Sequence, residues 1–421
     1  MIKLLIIADD FTGGLDTGVQ FAARGIRTRV VTDPETEYVR AADGAEVLVV
    51  VAETRHLSPR LAYEMVYRVA QKGKQLHIPH IYKKTDSGLR GNIGAELSAV
   101  MDAAGEARMA FLPSMPAMDR VTRGGVHYVN GQPVSESVFG QDPFEPVTES
   151  DVLRLLALQT KTPACSVTWD HVPEEGRGFV VVDAQTDEDL RRAGQALAHS
   201  GLLCVMAGCA GFASVLPELL GLTAGELPQV PRLDYGLFVL CGSVNPITLR
   251  QLAYAETRGF TREHILPEQK LEAGYFDTDA GKSALKGWRG MLRDTPWLIL
   301  DANDAGEGNA PTAAYAAGRG MTTEDLRSGI SSAMGVILPE MMKADVLRTM
   351  LITGGDTLLK CMDRMKVHEM EPLLEIFPGV VLSRFEAMGR LRFVITKSGG
   401  FGEETLLCDL KSLIDAQYQH E

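Results

Sequence analysis

Short apolar runs rich in Val, Ile and Leu punctuate the first half of the chain at 3–8, 28–31, 46–51, 78–83, 109–112 and 179–183. Each is nearly continuous in apolar character, the pattern of strands buried on both faces rather than the alternation of a half-solvated sheet. Between them, 15–24, 59–72 and 93–103 carry apolar residues at helical spacing, and Gly25 and Gly73 follow the first two as stop signals. Buried strands alternating with helices predict a parallel sheet with helices on both faces. From 112 to 150 the period fails. Pro113, Pro116, Pro133, Pro143 and Pro146, with several glycines, predict a long ordered excursion of the kind that more often carries function than not. The segment 221–235, with Pro228 and Pro231, is the expected boundary. Beyond it the alternation restarts, with strands at 236–241, 297–301, 350–354 and 391–397 and helices at 247–258 and 403–417. The fold expected is therefore α/β with two domains, 1–225 and 235–421, each a mostly parallel sheet covered by helices. The cleft between them is the expected ligand site. No internal repeat is visible between the halves.

Composition narrows the chemistry. The 421 residues carry 42 Lys+Arg against 55 Asp+Glu, a formal charge of −13. So acidic a chain has no basic face for non-specific nucleic-acid binding, and any anion it holds must be met by locally concentrated positive charge. No apolar stretch approaches the ~18 residues of a membrane helix. The apolar start of the chain is short and runs into Asp9-Asp10, so it reads as a strand rather than a signal peptide. Six scattered cysteines without a C-x-x-C pair imply free thiols in a reducing cytoplasm. His77 and His80 form an H-x-x-H interrupted by Pro79 with no ligand partner beside it, a loop pair rather than a metal site.

In an open parallel sheet, ligands gather beyond the carboxyl ends of the strands. The exits of the first half are unusually polar. They read Asp9-Asp10-Phe11-Thr12-Gly13-Gly14-Leu15-Asp16, then Glu53-Thr54-Arg55-His56, then Lys84-Thr85-Asp86-Ser87-Gly88-Leu89-Arg90-Gly91-Asn92, then Ser114 to Asp119-Arg120. Singly, each has an ordinary explanation: Asp9-Asp10 could cap a helix, Lys83 and Lys84 could be solvated edge residues, and Arg90 a surface charge. Together at one sheet edge they predict a polar pocket. Arg55, Lys84, Arg90 and Arg120 would receive a carboxylate or phosphate. Asp9, Asp10, Asp16 and Asp86 would accept hydroxyls or take a proton from one.

The second half presents Cys241-Gly242-Ser243, Thr353-Gly354-Gly355-Asp356-Thr357 and Lys397-Ser398-Gly399-Gly400 at strand-to-helix turns. Such turns aim backbone N–H groups and a helix start at phosphate, although glycine is also the routine way to make the turn. Three in one domain point to a nucleotide. Gly281-Lys282-Ser283 lacks the Walker A glycine five positions earlier, where Phe276 stands. Gly306-Glu307-Gly308-Asn309-Ala310-Pro311 lacks the third glycine of a dinucleotide fingerprint. These exclusions disfavour a P-loop enzyme and a nicotinamide-dependent dehydrogenase.

With these blocks in view, the chain resembles the four-carbon acid sugar kinases over nearly its whole length. The resemblance rests on Ala8-Asp9-Asp10-Phe11-Thr12-Gly13, Lys84-Thr85-Asp86-Ser87, Leu89-Arg90-Gly91-Asn92, Gly354-Gly355-Asp356-Thr357 and Lys397-Ser398-Gly399-Gly400-Phe401-Gly402, in that order. It implies ATP- and Mg²⁺-dependent phosphorylation of threonate, erythronate or 3-oxo-tetronate, with the acid on the N-terminal domain and ATP on the C-terminal one. By position, Asp9, Arg55 and Lys84 to Ser87 look like substrate contacts, and Ser243, Gly354 to Thr357 and Gly400 like ATP contacts. Gly88 stands where a small hydroxyl residue is usual, and Met118-Asp119-Arg120 replaces a Gly-Arg step.

The resulting expectation is a cytoplasmic kinase acting on the terminal hydroxyl of a four-carbon sugar acid, threonate favoured. Asp86 is the first candidate for the base and Asp9 the second. Asp10, Arg55, Lys84, Thr85, Ser87, Arg90 and Arg120 complete the acid site. Ser243, Gly354, Gly355, Asp356, Thr357, Lys397, Gly399 and Gly400 form the nucleotide site. The metal ligands stay open, no membrane or nucleic acid is expected as a partner, and a homodimer is the default. A non-catalytic sugar-acid sensor on the same fold, or a kinase for 3-oxo-tetronate or another small hydroxy acid, is the alternative.

Overall fold

The structure is a computed structural model that describes residues 1–142, 144–222, 224–306 and 309–419. Pro143 of the excursion and Glu307-Gly308 of the rejected fingerprint lie outside the described residues. The chain divides into two compact units, Met1–Pro228 and Gln229–Glu421, at a point inside the 221–235 segment.

The first unit runs β1 (Leu4–Ala8), α1 (Phe11–Ala22), β2 (Thr28–Val31), α2 (Tyr38–Ala42), β3 (Val47–Val51), α3 (Pro59–Gln75), β4 (His80–Lys84), α4 (Ile93–Ala104) and β5 (Arg108–Leu112). Then come β6 (Arg120–Arg123), β7 (Val126–Val129), β8 (Gln132–Pro133), α5 (Val152–Ala157), β9 (Ala164–Val167), β10 (Gly178–Val182), α6 (Asp187–His199), β11 (Val205–Gly208), α7 (Ala210–Ala213) and α8 (Leu216–Leu219). Its main sheet has the order β2-β3-β1-β4-β11-β5-β10-β9 and every pairing in it is parallel.

All five residues of β1 are buried, as expected of a central parallel strand. Leu5 and Ile7 point to one face, where they share a core with Val66, Val69 and Ala70 of α3 and Leu97 and Val100 of α4. On the other face α1 lies so close that a Cβ on Gly14 would meet Val51, Ala8 and Val49 at 3.2–3.4 Å. That helix starts at Phe11, four residues before the apolar spacing placed it, because Asp10 caps it through the Gly13 amide. The excursion is ordered as expected: β6, β7 and β8 form a small antiparallel sheet of their own.

The second unit runs β12 (Leu237–Cys241), α9 (Pro246–Thr257), β13 (Thr261–His264), α10 (Pro267–Leu271), α11 (Asp279–Asp294), β14 (Trp297–Asp301), α12 (Ala310–Ala317) and α13 (Thr323–Met341). It ends with β15 (Thr349–Thr353), α14 (Gly355–Met365), β16 (Glu369–Phe377), β17 (Val380–Ala387), β18 (Arg390–Lys397) and α15 (Leu406–Tyr418). The order β13-β14-β12-β15-β18 is parallel, and β17 and β16 extend it as an antiparallel meander. Gly281-Lys282-Ser283 lies in the first turns of α11, whose cap is Thr278.

Although no repeat is visible in the sequence, the winding repeats. In each unit the first strand lies between the third and the fourth, with the second outside the third. Winding therefore reverses beside β1 and β4 in one unit and beside β12 and β15 in the other. Those are the places where an open α/β sheet forms a crevice beyond its strand ends.

Candidate active site

At the first reversal, β1 ends in Asp9-Asp10 and β4 in Lys84, in register, with Ala8 paired to Lys84. Lys84 Nζ donates to Asp9 Oδ1 at 2.9 Å and to Asp10 Oδ1 at 2.8 Å. Arg55, from the loop after β3, reaches Asp9 and Asp10 at 2.7 Å each and Asp86 at 3.5 Å. Arg90 donates from Nε and Nη2 to the two oxygens of Asp86 at 2.9 and 3.0 Å, and from Nη1 to Asp142 at 2.9 Å. Arg120, at the start of β6, donates to Ser87 Oγ. The structure thus gathers Asp9, Asp10, Arg55, Lys84, Asp86, Ser87, Arg90 and Arg120 into one network, and Thr85 lies within the same loop. Asp16 is within electrostatic reach of Arg120.

Burial and charge oppose one another here, and charge wins. Burial pushes the Asp10 carboxyl up, but Arg55 and Lys84 outweigh it and hold it well below the usual carboxylate range. Asp86 follows the same pattern under Arg90 and Arg55. Burial alone would discharge Lys84, yet Asp10 and Asp9 keep its ammonium proton bound more tightly than in water. Arg120 is different: burial lowers its pKa on balance. The cations expected to clamp an anion are thus largely engaged by acids of the protein itself. Four cations (Arg55, Lys84, Arg90, Arg120) stand among four carboxylates (Asp9, Asp10, Asp86, Asp142).

The loops carry backbone strain. Of nine non-glycine residues with positive φ among the described residues, Glu53, Leu89 and Asp119 stand in three of these strand exits. Gly13 is needed for room, and Gly91 for its φ of 90°. A Cβ at Gly13 would come within 1.8 Å of Lys84 Nζ, and one at Gly91 within 3.2 Å of the Arg55 side chain. Thr85 Oγ1, in the same loop, is buried with no hydrogen-bond partner among the described residues. Sequence reasoning missed His127, Phe139 and Asp142. His127 is fully buried on β7, with Nε2 3.0 Å from the Ser87 carbonyl and Nδ1 3.0 Å from Thr122 Oγ1. A lone histidine in an aperiodic stretch gives no signal of this.

At the second reversal the glycine turns pack on one another. A Cβ on Gly242 would sit 2.0 Å from Thr357 Oγ1, and one on Gly399 2.8 Å from Ser243 Oγ, so neither turn tolerates a side chain. The helix start at Gly354 has φ of 106° and no side-chain cap, which leaves the first amides of α14 available to an anion. Thr353 Oγ1 beneath it is buried without a partner among the described residues. These orphaned donors and side-chain-free turns fit nucleotide phosphates. Lys397 Nζ donates to Thr248 Oγ1, Ser398 O and Gly399 O at 2.9, 3.0 and 3.1 Å. Burial pulls its pKa down to about 8. Gly400 lies in the same turn, half-buried.

Asp356, in the first turn of α14, is held by Arg327 through Nε at 2.6 Å and Nη2 at 3.1 Å. Sequence reasoning missed Asn303, which donates to the Ser243 carbonyl at 3.0 Å and to Asp301 at 2.7 Å. The signal was present, since Asp301-Ala302-Asn303-Asp304 is a polar strand exit like the others. Among the described residues no group of three or more His, Cys, Asp or Glu could hold a metal ion.

Residues 4–216 match the sugar-binding N-terminal domain family, and residues 238–407 match the nucleotide-binding C-terminal domain family. A D-threonate kinase of Salmonella typhimurium is 30% identical over 99% of this chain and 99% of its own length. The chain belongs to the four-carbon acid sugar kinase family. Another member, the D-threonate kinase of Cupriavidus necator, is 31% identical over 96% of both chains. Among solved structures, a Salmonella typhimurium LT2 protein superposes with a TM-score of 0.77 at 21% identity, covering 98% of this chain and 99% of its own, and shares the fold. The two matched domains of the family fall on the two units, one with the charged network and one with the glycine turns. All six cysteines are free, and no described helix is long and apolar enough to cross a membrane.

Proposed function

We propose that this chain transfers the γ-phosphoryl group of ATP to the terminal hydroxyl of a four-carbon sugar acid in the cytoplasm, with D-threonate preferred. The observation that carries the reading is the pairing, in one chain, of two reversal-point sites with complementary chemistry. One holds mixed charges and an orphan hydroxyl suited to a hydroxy acid; the other holds uncapped amides suited to a triphosphate. Relatives that phosphorylate D-threonate, about 30% identical along almost the whole chain, support the choice of acid.

The geometry supports the following roles. Arg90 and Arg120 receive the substrate carboxylate, with Arg55 and Lys84 shifting from protein acids to substrate oxygens. Thr85 Oγ1 bonds a substrate hydroxyl. The acceptor oxygen forms a bond to phosphorus as the bond to ADP breaks, and its proton passes to a carboxylate. Phosphoryl transfer asks mainly for positioning and charge stabilisation, so a carboxylate with a depressed pKa suffices to orient the hydroxyl. Asp86 is clasped through both oxygens by Arg90, and Asp9 by Arg55 and Lys84. When bound, ATP would supply the phosphoryl group, and Mg²⁺ would neutralise part of its charge. Asp356 is the carboxylate beside the turns that would reach the ion, and Ser243, Gly354, Gly355, Thr357, Lys397, Gly399 and Gly400 would hold the phosphates.

The test is ADP release by the full-length protein with ATP, Mg²⁺ and a panel of D-threonate, D-erythronate and 3-oxo-tetronate. Turnover with D-threonate is expected, falling about 10²-fold or more in Asp86→Asn or Asp9→Asn, whichever residue meets the hydroxyl. No ADP with any acid would sink the reading.

A further inference from the structure

Phe139 lies in the loop that follows β8. Its ring lies against two of the three guanidinium groups of the acid site: the central carbons of Arg90 and Arg120 are each 5.1 Å from the ring centroid. The same ring fills the space beside Gly88. A Cβ built on Gly88 would fall 2.4 Å from Phe139 Cδ1 and 2.6 Å from Cε1 and Cγ. Gly88 is not among the glycines with positive φ, so the demand there is for space and not for an unusual backbone.

The loop holds the ring in place. The Phe139 amide donates to Ser137 Oγ at 3.2 Å, and its carbonyl accepts from Val147 N at 3.0 Å. Gly140 packs so tightly that a Cβ there would sit 1.9 Å from the Ser135 carbonyl oxygen. Asp142, in the same loop, holds the far nitrogen of Arg90 at 2.9 Å. Arg90 is therefore fixed by Asp86, by Asp142 and by an aromatic face.

We propose that Phe139 is a positioning residue that determines acid specificity. Through its fit to an empty position 88 it fixes where Arg90 and Arg120 stand, and so where the substrate carboxylate is received. The proposal rests on the sugar-acid reading for those two arginines. A side chain at 88 and a ring at 139 are mutually exclusive, so the two positions must act as a unit. Substitutions in contact that share a partner are expected to be strongly non-additive.

The experiment uses the full-length protein as wild type, Phe139→Ala, Gly88→Ser and the double variant, with KM, kcat and melting temperature as readouts. Phe139→Ala is expected to raise KM for D-threonate about tenfold and to narrow the preference for it over D-erythronate, while KM for ATP changes less than about twofold. Gly88→Ser is expected to lose activity and melt lower than wild type. Adding Phe139→Ala to it is expected to restore melting and to bring activity to the level of Phe139→Ala alone. Additive effects, or an unchanged KM for D-threonate in Phe139→Ala, would overturn the proposal. If Gly88→Ser fails to fold, the double variant against Phe139→Ala decides the outcome. If the wild type releases no ADP with any acid, the kinase reading falls instead. Coupling is then judged from melting with and without D-threonate.

Discussion

Gly13 decides how close Lys84 can come to the start of α1. The Nζ–Cβ distance of 1.8 Å that any side chain would create means that Gly13→Ala must push the ammonium away from Asp9 and Asp10. The displaced atom is the end of a flexible side chain, so the backbone can survive. The two carboxylates would keep Arg55 but lose their second cation. We expect a destabilisation of about 1–3 kcal/mol by denaturant melting and a fall in kcat/KM of about tenfold or more. Wild-type kcat/KM in Gly13→Ala would show that Lys84 is not needed at that spot.

Residue identities at this site were largely readable from the chain, because Asp9, Arg55, Lys84, Asp86 and Arg90 all stand at strand exits. Their partners were not. Sequence suggests cations reaching for an anion, whereas the folded site pairs Arg55, Lys84 and Arg90 with acids of the chain itself, several of them many residues away. Arg90 to Asp142 is one such long-range pairing, fixed by tertiary packing and not by local spacing.

At the scale of elements, the small sheet β6–β8 underpins the loop that carries Ser87, and His127 is its joint. Burial lowers the His127 pKa to about 4, with the hydrogen bond to the Ser87 carbonyl opposing that shift. A histidine with a lowered folded-state pKa contributes stability fully above its unfolded value of about 6.5, and the contribution is lost as pH falls towards 4. The full effect is about 3 kcal/mol. We expect unfolding free energy, measured by denaturant titration at successive pH values, to fall between about pH 6.5 and 4. In His127→Gln that slope should be shallower; an identical slope would place the acid sensitivity elsewhere. Most strands of the main sheets were legible because they are largely apolar, but β9, β11 and β13 were not, being four residues each and, in β13, polar. Nor were β6–β8. Their residues alternate over four positions or fewer, with Gly between, and they are held by long-range contacts that include the Thr122–Ala184 and Val126–Asp151 bridges. The antiparallel pair β16–β17 escaped notice for a related reason: β16 mixes exposed and buried positions and contains Pro372.

For the whole molecule, the repeated winding places a crevice with polar strand exits at the same topological position in each unit. The formal charge of −13 then poses a kinetic question, since the substrate and the nucleotide are both anions. A cluster of four cations among four carboxylates projects little field beyond the Debye length. We expect kcat/KM for the sugar acid to hold steady or rise modestly between about 0.01 and about 0.1 M salt, as screening weakens repulsion by the acidic surface. A steep fall, measured by initial rates at constant Mg²⁺, would instead reveal a positive field drawing the anion in. The neutral cluster thus implies capture without attraction at a distance. On the proposed reading, the acid arrives by ordinary diffusion and is selected only on contact, when arginine and lysine exchange an internal carboxylate for an external one. Discrimination among sugar acids then belongs to how long each stays and not to how fast it comes.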